Sequence, residues 1–325
     1  MKSQITFEVR IATCDRPGML CRALKSLQSQ NYPNWKAIVF DDSSSSEPRE
    51  VVQGISDDRI SYIHNPRRLG AAGNIDQCFS PTRFSDGSYA CLLEDDNFWF
   101  PEFLSLISDR LGKGDWNLIL ANQRISDEGA SLRPASETTR GGWFTAGGVE
   151  PLDLRATLLL MEGLSNGGLI WRLDGQTNLQ VGSTVQETGL QEACRSLLVG
   201  APFLFVEEAL AVWTFMPKSE SARAAERGRC IGRGMQSIRD FVLRRHGESV
   251  IRVARRIASR RGVTDRLVEA LSYSGRPALA GECRQGRRRL AYRALAKGWA
   301  ARMVEADPCA AFLKSGRVAA VSDLA

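Results

Sequence analysis

Within the first 217 residues the hydrophobic period switches repeatedly between two and about 3.6, and few folds accommodate such switching. Ile5, Phe7, Val9 and Ile11 alternate with Thr6, Glu8, Arg10 and Ala12, the pattern of a strand with one apolar face. Pro17 then opens a segment in which Leu20, Ala23, Leu24 and Leu27 recur at helical spacing, with proline in its favoured first turn. The runs 35–42, 60–65 and 88–96 read as strands of continuous apolar character, covered on both faces, and 116–122 follows as another. Helices are expected over 73–79 and 101–111. Strands alternating with helices predict an α/β fold whose mixed sheet is mostly parallel and flanked by helices.

In such a sheet, ligands bind outside the carboxyl ends of the strands. Three expected strands place polar residues there: Thr13-Cys14-Asp15 after the first, Asp41-Asp42-Ser43 after the second, and Glu94-Asp95-Asp96-Asn97 after the fourth. Carboxylates at the end of a buried strand cost free energy unless something compensates them. A divalent cation does so, since Mg2+ or Mn2+ held by one or two carboxylates completes its shell with water and phosphate oxygens. Asp95 and Asp96 point apart if extended, so one can take a metal while its neighbour takes a substrate hydroxyl. The competing reading is an acidic cap for the helix near Pro101; for Asp41-Asp42 taken alone, helix capping is the better account.

Charge divides the chain. From Lys218 onward 24 Lys and Arg face 10 Asp and Glu, whereas the preceding residues hold 19 basic and 27 acidic side chains. That asymmetry predicts a boundary, with residues 218–325 a basic helical region in which Val250, Ala254 and Ile257 form one apolar stripe. Residues 129–148 are rich in Gly, Ser, Thr and Pro and are expected to form an exposed loop. The eight cysteines show no C-x-x-C spacing and read as reduced thiols. No apolar run approaches the roughly 18 residues of a spanning helix, and the first residues carry no signal core, so the chain is expected in the cytoplasm. His64 is expected to pack, and Trp99 and Trp143 are the tryptophans best placed to stack on a sugar. The stretch "LGAAGN" lacks the G-x-G-x-x-G order of a dinucleotide-binding oxidoreductase. The basic tail keeps open a non-catalytic protein that contacts nucleic acid or an anionic membrane surface. Packing of the tail on the first 217 residues, or pairing of subunits as a homodimer, is the simpler expectation.

Three segments taken in order, "IATCDRPGMLCRALKSLQSQNYPNWKAIVFDDSSS", "NPRRLGAAGNIDQCF" and "LLEDDNFWFPEFL", resemble the nucleotide-sugar-binding half of the inverting family 2 glycosyltransferases with the GT-A fold. The likeness covers about the first 105 residues and is looser from there to 217. It implies a GT-A catalytic domain over 1–217, with a Rossmann-like nucleotide-sugar-binding half at 1–110 and an acceptor-binding part at 111–217. It also implies metal-dependent, inverting transfer of a sugar from a nucleoside diphosphate, UDP or TDP favoured, to a hydroxyl of a small-molecule or saccharide acceptor. Asp42 resembles the acid that hydrogen-bonds the nucleobase, with Thr13 and Asp15 in the loop that cups the base. Arg68, or Arg67 beside it, resembles the basic residue that reaches the nucleotide. Asp95 resembles the acid on the ribose or donor sugar, and Asp96 the ligand of Mn2+ or Mg2+ that tethers the diphosphate. Glu187 falls where the family places its catalytic base, with Glu192 and Asp153 as alternatives. Ala12 and Cys14 depart from the residues usual in the first loop of the family. Such a displacement needs one carboxylate to take the acceptor proton and one cation on the leaving-group side, and no covalent nucleophile. Nucleic acid is not an expected partner; peripheral membrane contact is left open by the basic tail.

Overall fold

The computed structural model describes residues 5–127, 131–161, 163–174, 177–216, 222–276, 285–304 and 306–322. They form two compact units, one built from Met1–Gly148, Ser165–Gln180 and Phe203–Pro217, the other from Val149–Leu164, Val181–Pro202 and Lys218–Ala325. The boundary expected between 217 and 218 lies outside the described residues, as do Gly129 and Ala130 of the expected loop.

The first unit is a mixed sheet with helices. Its strands are β1 (Phe7–Thr13), β2 (Trp35–Asp41), β3 (Ile60–His64), β4 (Tyr89–Leu92), β5 (Phe98–Trp99), β6 (Leu118–Asp127), β7 (Ser131–Leu132), β8 (Gly147–Val149), β9 (Leu169–Arg172) and β10 (Phe203–Phe215). The main path runs β3-β2-β1-β4-β9-β6-β10-β5. β3, β2, β1 and β4 are all parallel, so their carboxyl ends share one edge; β9 is antiparallel to β4 and β6, and β5 to β10. Helices α1 (Pro17–Gln28), α2 (Glu47–Ile55), α3 (Gly70–Gln77) and α4 (Phe103–Gly112) connect the strands. α1 buries Leu20, Ala23, Leu24 and Leu27, the helical-spacing set expected from the sequence.

Two strands differ from expectation. All seven residues of β1 are buried, although Glu8 and Arg10 had marked one face as polar. The reason is a closed charge network: Arg10 Nη2 lies 2.6 Å from Glu8 Oε1, and Arg10 donates to the carbonyls of Cys78, Ser80 and Thr82. The other oxygen of Glu8 accepts the amides of Phe84 and Ser85 and the Ser85 hydroxyl. Neither side chain touches water, and together they tie residues 78–85 under the sheet. β3, read as covered on both faces, is instead the edge strand, and Ser61, Ile63 and His64 are exposed. Both sugar-stacking candidates are also core residues: Trp99 is buried with its ring 4.6 Å from that of Phe103, and Trp143 is buried within the expected exposed loop.

The second unit is helical. It contains α5 (Pro151–Thr157), α6 (Thr188–Leu197), α7 (Ala222–Arg261), α8 (Thr264–Tyr273), α9 (Gln285–Val304), α10 (Ala310–Leu313) and α11 (Gly316–Ser322). α7 is kinked at Gly247, whose φ of 51° suits glycine. Its stripe Val250, Ala254 and Ile257 is buried, as the spacing predicted. Arg155, fully buried on α5, donates to the carbonyls of Ser196, Leu197 and Val199 at the end of α6. Burial pushes the pKa of Arg155 down to about 10, so it still carries its charge at neutral pH, where the negative end of the α6 dipole receives it.

Candidate active site

Parallel register brings the ends of β1, β2 and β3 side by side, with Thr13 opposite Asp41 and Asp41 opposite His64. Thr13 joins the two loops that follow. Its carbonyl accepts the Asp42 amide at 3.0 Å and its hydroxyl donates to Asp95 Oδ2 at 2.7 Å.

On the Asp42 side, the backbone of Asp15 turns left-handed (φ 52°), a conformation aspartate tolerates better than most residues. The Asp15 amide donates to Ser43 Oγ at 2.7 Å, and Asp15 Oδ1 accepts the Ser44 amide at 3.0 Å. That amide hydrogen bond is the main cause of a lowered Asp15 pKa. Asp42 is buried and accepts three hydrogen bonds, from the amides of Leu69 and Gly70 and from Asn65 Nδ2. It thus caps α3, the role its residue type suggested in isolation, and anchors the turn that carries Arg67 and Arg68. A carboxylate offers about four acceptor positions, so Asp42 Oδ2, which receives only the Gly70 amide, has capacity for one more donor. Asp42, Ser43, Ser44, His64, Asn65, Pro66, Arg67 and Arg68 line a cleft of about 200 Å³. His64 belongs to this lining, exposed and 3.8 Å from Asp41, rather than to the packed interior. Arg68 lies 3.6 Å from Asp15 and donates to Cys14 Sγ at 3.4 Å. Burial, then the Asp15 charge, raises the Cys14 pKa, which keeps this thiol from acting as a thiolate nucleophile at neutral pH.

On the other side, Asp95 is fully buried and Asp96 partly exposed. Burial pushes Asp95 up to about 6, with Arg16 pulling down and Asp96 pushing up. Arg16 is the residue the sequence reading missed: its guanidinium lies 2.5 Å from Asp95 Oδ1 and 3.0 Å from Asp96 Oδ2. Burial opposes its charge, but Asp95 and then Asp96 hold its pKa up. The available signal was a basic residue directly after Thr13-Cys14-Asp15, in a loop that must face the acids of the neighbouring strand. Below this pair, Asn97 Nδ2 donates to Glu94 Oε2 at 2.9 Å and Asn97 Oδ1 accepts the Thr214 amide at 2.8 Å, so Glu94 shapes the turn.

Residues 8–159 match the family model described as glycosyl transferase family 2. The match takes in a little under half of the chain, which over these residues is similar to that family. The GalNAc(5)-diNAcBac-PP-undecaprenol beta-1,3-glucosyltransferase of Campylobacter jejuni is 31% identical to this chain over 124 residues, 37% of it and 39% of the relative. The curated relatives that this chain matches are covered over 28% to 45% of their own length. Among solved structures, S. aureus TarS 1-349 aligns at TM-score 0.59 and 13% identity over 91% of this chain and 89% of that one, and it has also been solved with UDP. The mannosyltransferase PcManGT of Pyrobaculum calidifontis, in complex with GDP-Man and Mn2+, aligns at 0.52 and 14% identity over 98% and 81%. At these identities the structural likeness speaks to the GT-A fold.

Six of the sequence-predicted site residues, Thr13, Asp15, Asp42, Arg68, Asp95 and Asp96, converge on one sheet edge of the first unit. Glu187 belongs to the second unit. It precedes α6 in extended conformation, its carbonyl accepts the Gln191 amide, and its carboxylate pairs with Arg227 at 2.5 Å. Asp153 pairs with Arg256 at 3.0 Å in the same unit, and Glu192 lies on α6.

Proposed function

We propose that this protein transfers a sugar, with inversion, from a uridine- or thymidine-diphosphate donor to a hydroxyl acceptor. The observation that carries the reading is the convergence of six polar residues at the carboxyl edge of parallel strands, inside the stretch matched by the family model. The spare acceptor position on Asp42 suits the imide N–H of uracil or thymine, and Arg68 at the mouth of the same cleft suits a phosphate oxygen. The Asp95–Asp96 corner fits a divalent cation by the chemistry of its donors. Two adjacent carboxylates suffice where phosphate supplies further oxygens, and a cation there would take the place of the Arg16 guanidinium, which pairs with both. Among the described residues no three His, Cys, Asp or Glu side chains converge as a cation cage. When bound, Mn2+ or Mg2+ would neutralise charge on the departing diphosphate. Asp96 would hold it, Asp95 would orient the ribose or donor sugar, and Glu187 would accept the proton of the acceptor hydroxyl.

The test is a thermal-shift and hydrolysis screen of UDP-, TDP- and GDP-sugars with Mn2+ or Mg2+. Asp96→Ala should lose metal-dependent nucleotide binding, and UDP affinity unchanged by EDTA would defeat the metal assignment. Glu187→Gln should bind donor and fail to turn over; full activity would move the base to Glu192 or Asp153.

A further inference from the structure

Helix α9 has apolar side chains on two sides, and only one of them is packed. Ala291 and Ala294 are buried, and Gly298 lies so close to the Tyr273 carbonyl at the end of α8 that a Cβ there would stand 2.2 Å away. On a different face Tyr292, Trp299 and Met303 are 70%, 65% and 79% exposed. At about 100° per residue these three fall within roughly 40° of arc, a stripe of about 16 Å along the axis. Exposed Ala296 and Ala300 extend its apolar character. A soluble face gains nothing from presenting a tyrosine, a tryptophan and a methionine in line to water.

The charge around the stripe narrows what covers it. α9 carries five arginines and one lysine between Gln285 and Val304, and no acidic residue. Arg287 pairs with Asp265 and Arg302 with Asp240. Arg288 emerges beside the stripe, and Arg289, Arg293 and Lys297, each four residues apart, run along its other flank, all exposed. A second copy of the same face would oppose cation to cation with no carboxylate on the helix to answer them. Nucleic acid would accept the cations and could stack on the aromatics, but it offers no hydrocarbon to Met303.

We propose that this face of α9 docks on an anionic lipid surface, the stripe entering the headgroup boundary and the basic flank meeting lipid phosphates. Tryptophan and tyrosine favour that boundary, having an apolar ring and a polar tip, and long basic side chains reach back to the headgroups. The inference stands independently of the donor chemistry.

The test is flotation of the full chain with vesicles of phosphatidylcholine, alone or with roughly one-third phosphatidylglycerol. The wild type should float with the anionic vesicles only, and high salt should release it. Tyr292→Ser/Trp299→Ser/Met303→Ser and, separately, Arg289→Gln/Arg293→Gln/Lys297→Gln should each weaken partitioning by about tenfold or more. Both variants should keep the unfolding midpoint and any donor hydrolysis of the wild type, since the substituted side chains project from the fold. Wild-type protein that stays in the soluble fraction overturns the proposal. So does a serine variant that floats normally, one that merely turns a dimer into a monomer, or preference for an added oligonucleotide over the vesicles.

Discussion

Each unit buries an arginine, and by a different device. In the sheet unit, Arg10 meets the carboxylate of Glu8, as Arg16 at the sheet edge meets that of Asp95. In the helical unit, Arg155 is as deeply buried, yet its hydrogen-bond partners are three carbonyls at the end of α6, and burial alone accounts for its lowered pKa. An ion pair leaves two groups that suffer if one is removed, whereas a helix terminus leaves only neutral carbonyls. The first arrangement holds charged side chains at defined positions, which a ligand-binding edge requires. The second secures a helix end, and with it the position of Glu187 at the start of the same helix.

Substitutions can break this contrast. Arg10→Met should cost the most, about 3–5 kcal/mol in urea unfolding, because Glu8 would be left buried without its counter-charge. Adding Glu8→Gln should recover at least about 1 kcal/mol of that loss; strict additivity of the two changes would show that the pair is not a unit. Arg155→Met should cost about 2–4 kcal/mol through three orphaned carbonyls, and no carboxylate substitution in the helical unit should offset it. Asp42→Ala should cost about 1–2 kcal/mol by uncapping α3 and should weaken nucleotide binding more than it lowers stability. Arg227→Ala should change stability least, by under about 1 kcal/mol, since its pair with Glu187 is half-exposed. Any change in turnover there, measured at saturating donor, would report on Glu187 itself.

Much of the sheet edge was legible because apolar runs ending in acids carry both the strand and its functional end. The same rule misjudged β1, where Glu8 and Arg10 alternate like a solvated face and are in fact neutralised by each other and by residues 78–85, far along the chain. It likewise could not tell that β3 is an edge strand, because five apolar-leaning residues look alike in the middle and at the margin of a sheet. Trp99 sat beside the acids in sequence, but adjacent residues of a strand face opposite ways, and its ring points into the core. Arg16 escaped notice because its importance is that of a counter-charge, visible only once its loop lies against another strand. The stripe on α9 was hidden for a related reason. Apolar residues on two faces cancel in any measure of one-sidedness, so the helix reads as merely basic.

Thr13 binds the Asp42 amide through its carbonyl and Asp95 through its hydroxyl, so a single residue splices the Asp42 loop to the acid pair. The two loops therefore cannot be re-engineered as separate modules. A library that diversifies the Asp42 loop would shift the carbonyl it hangs from, and with it the hydroxyl that holds Asp95. Position 13 belongs in that library from the first round.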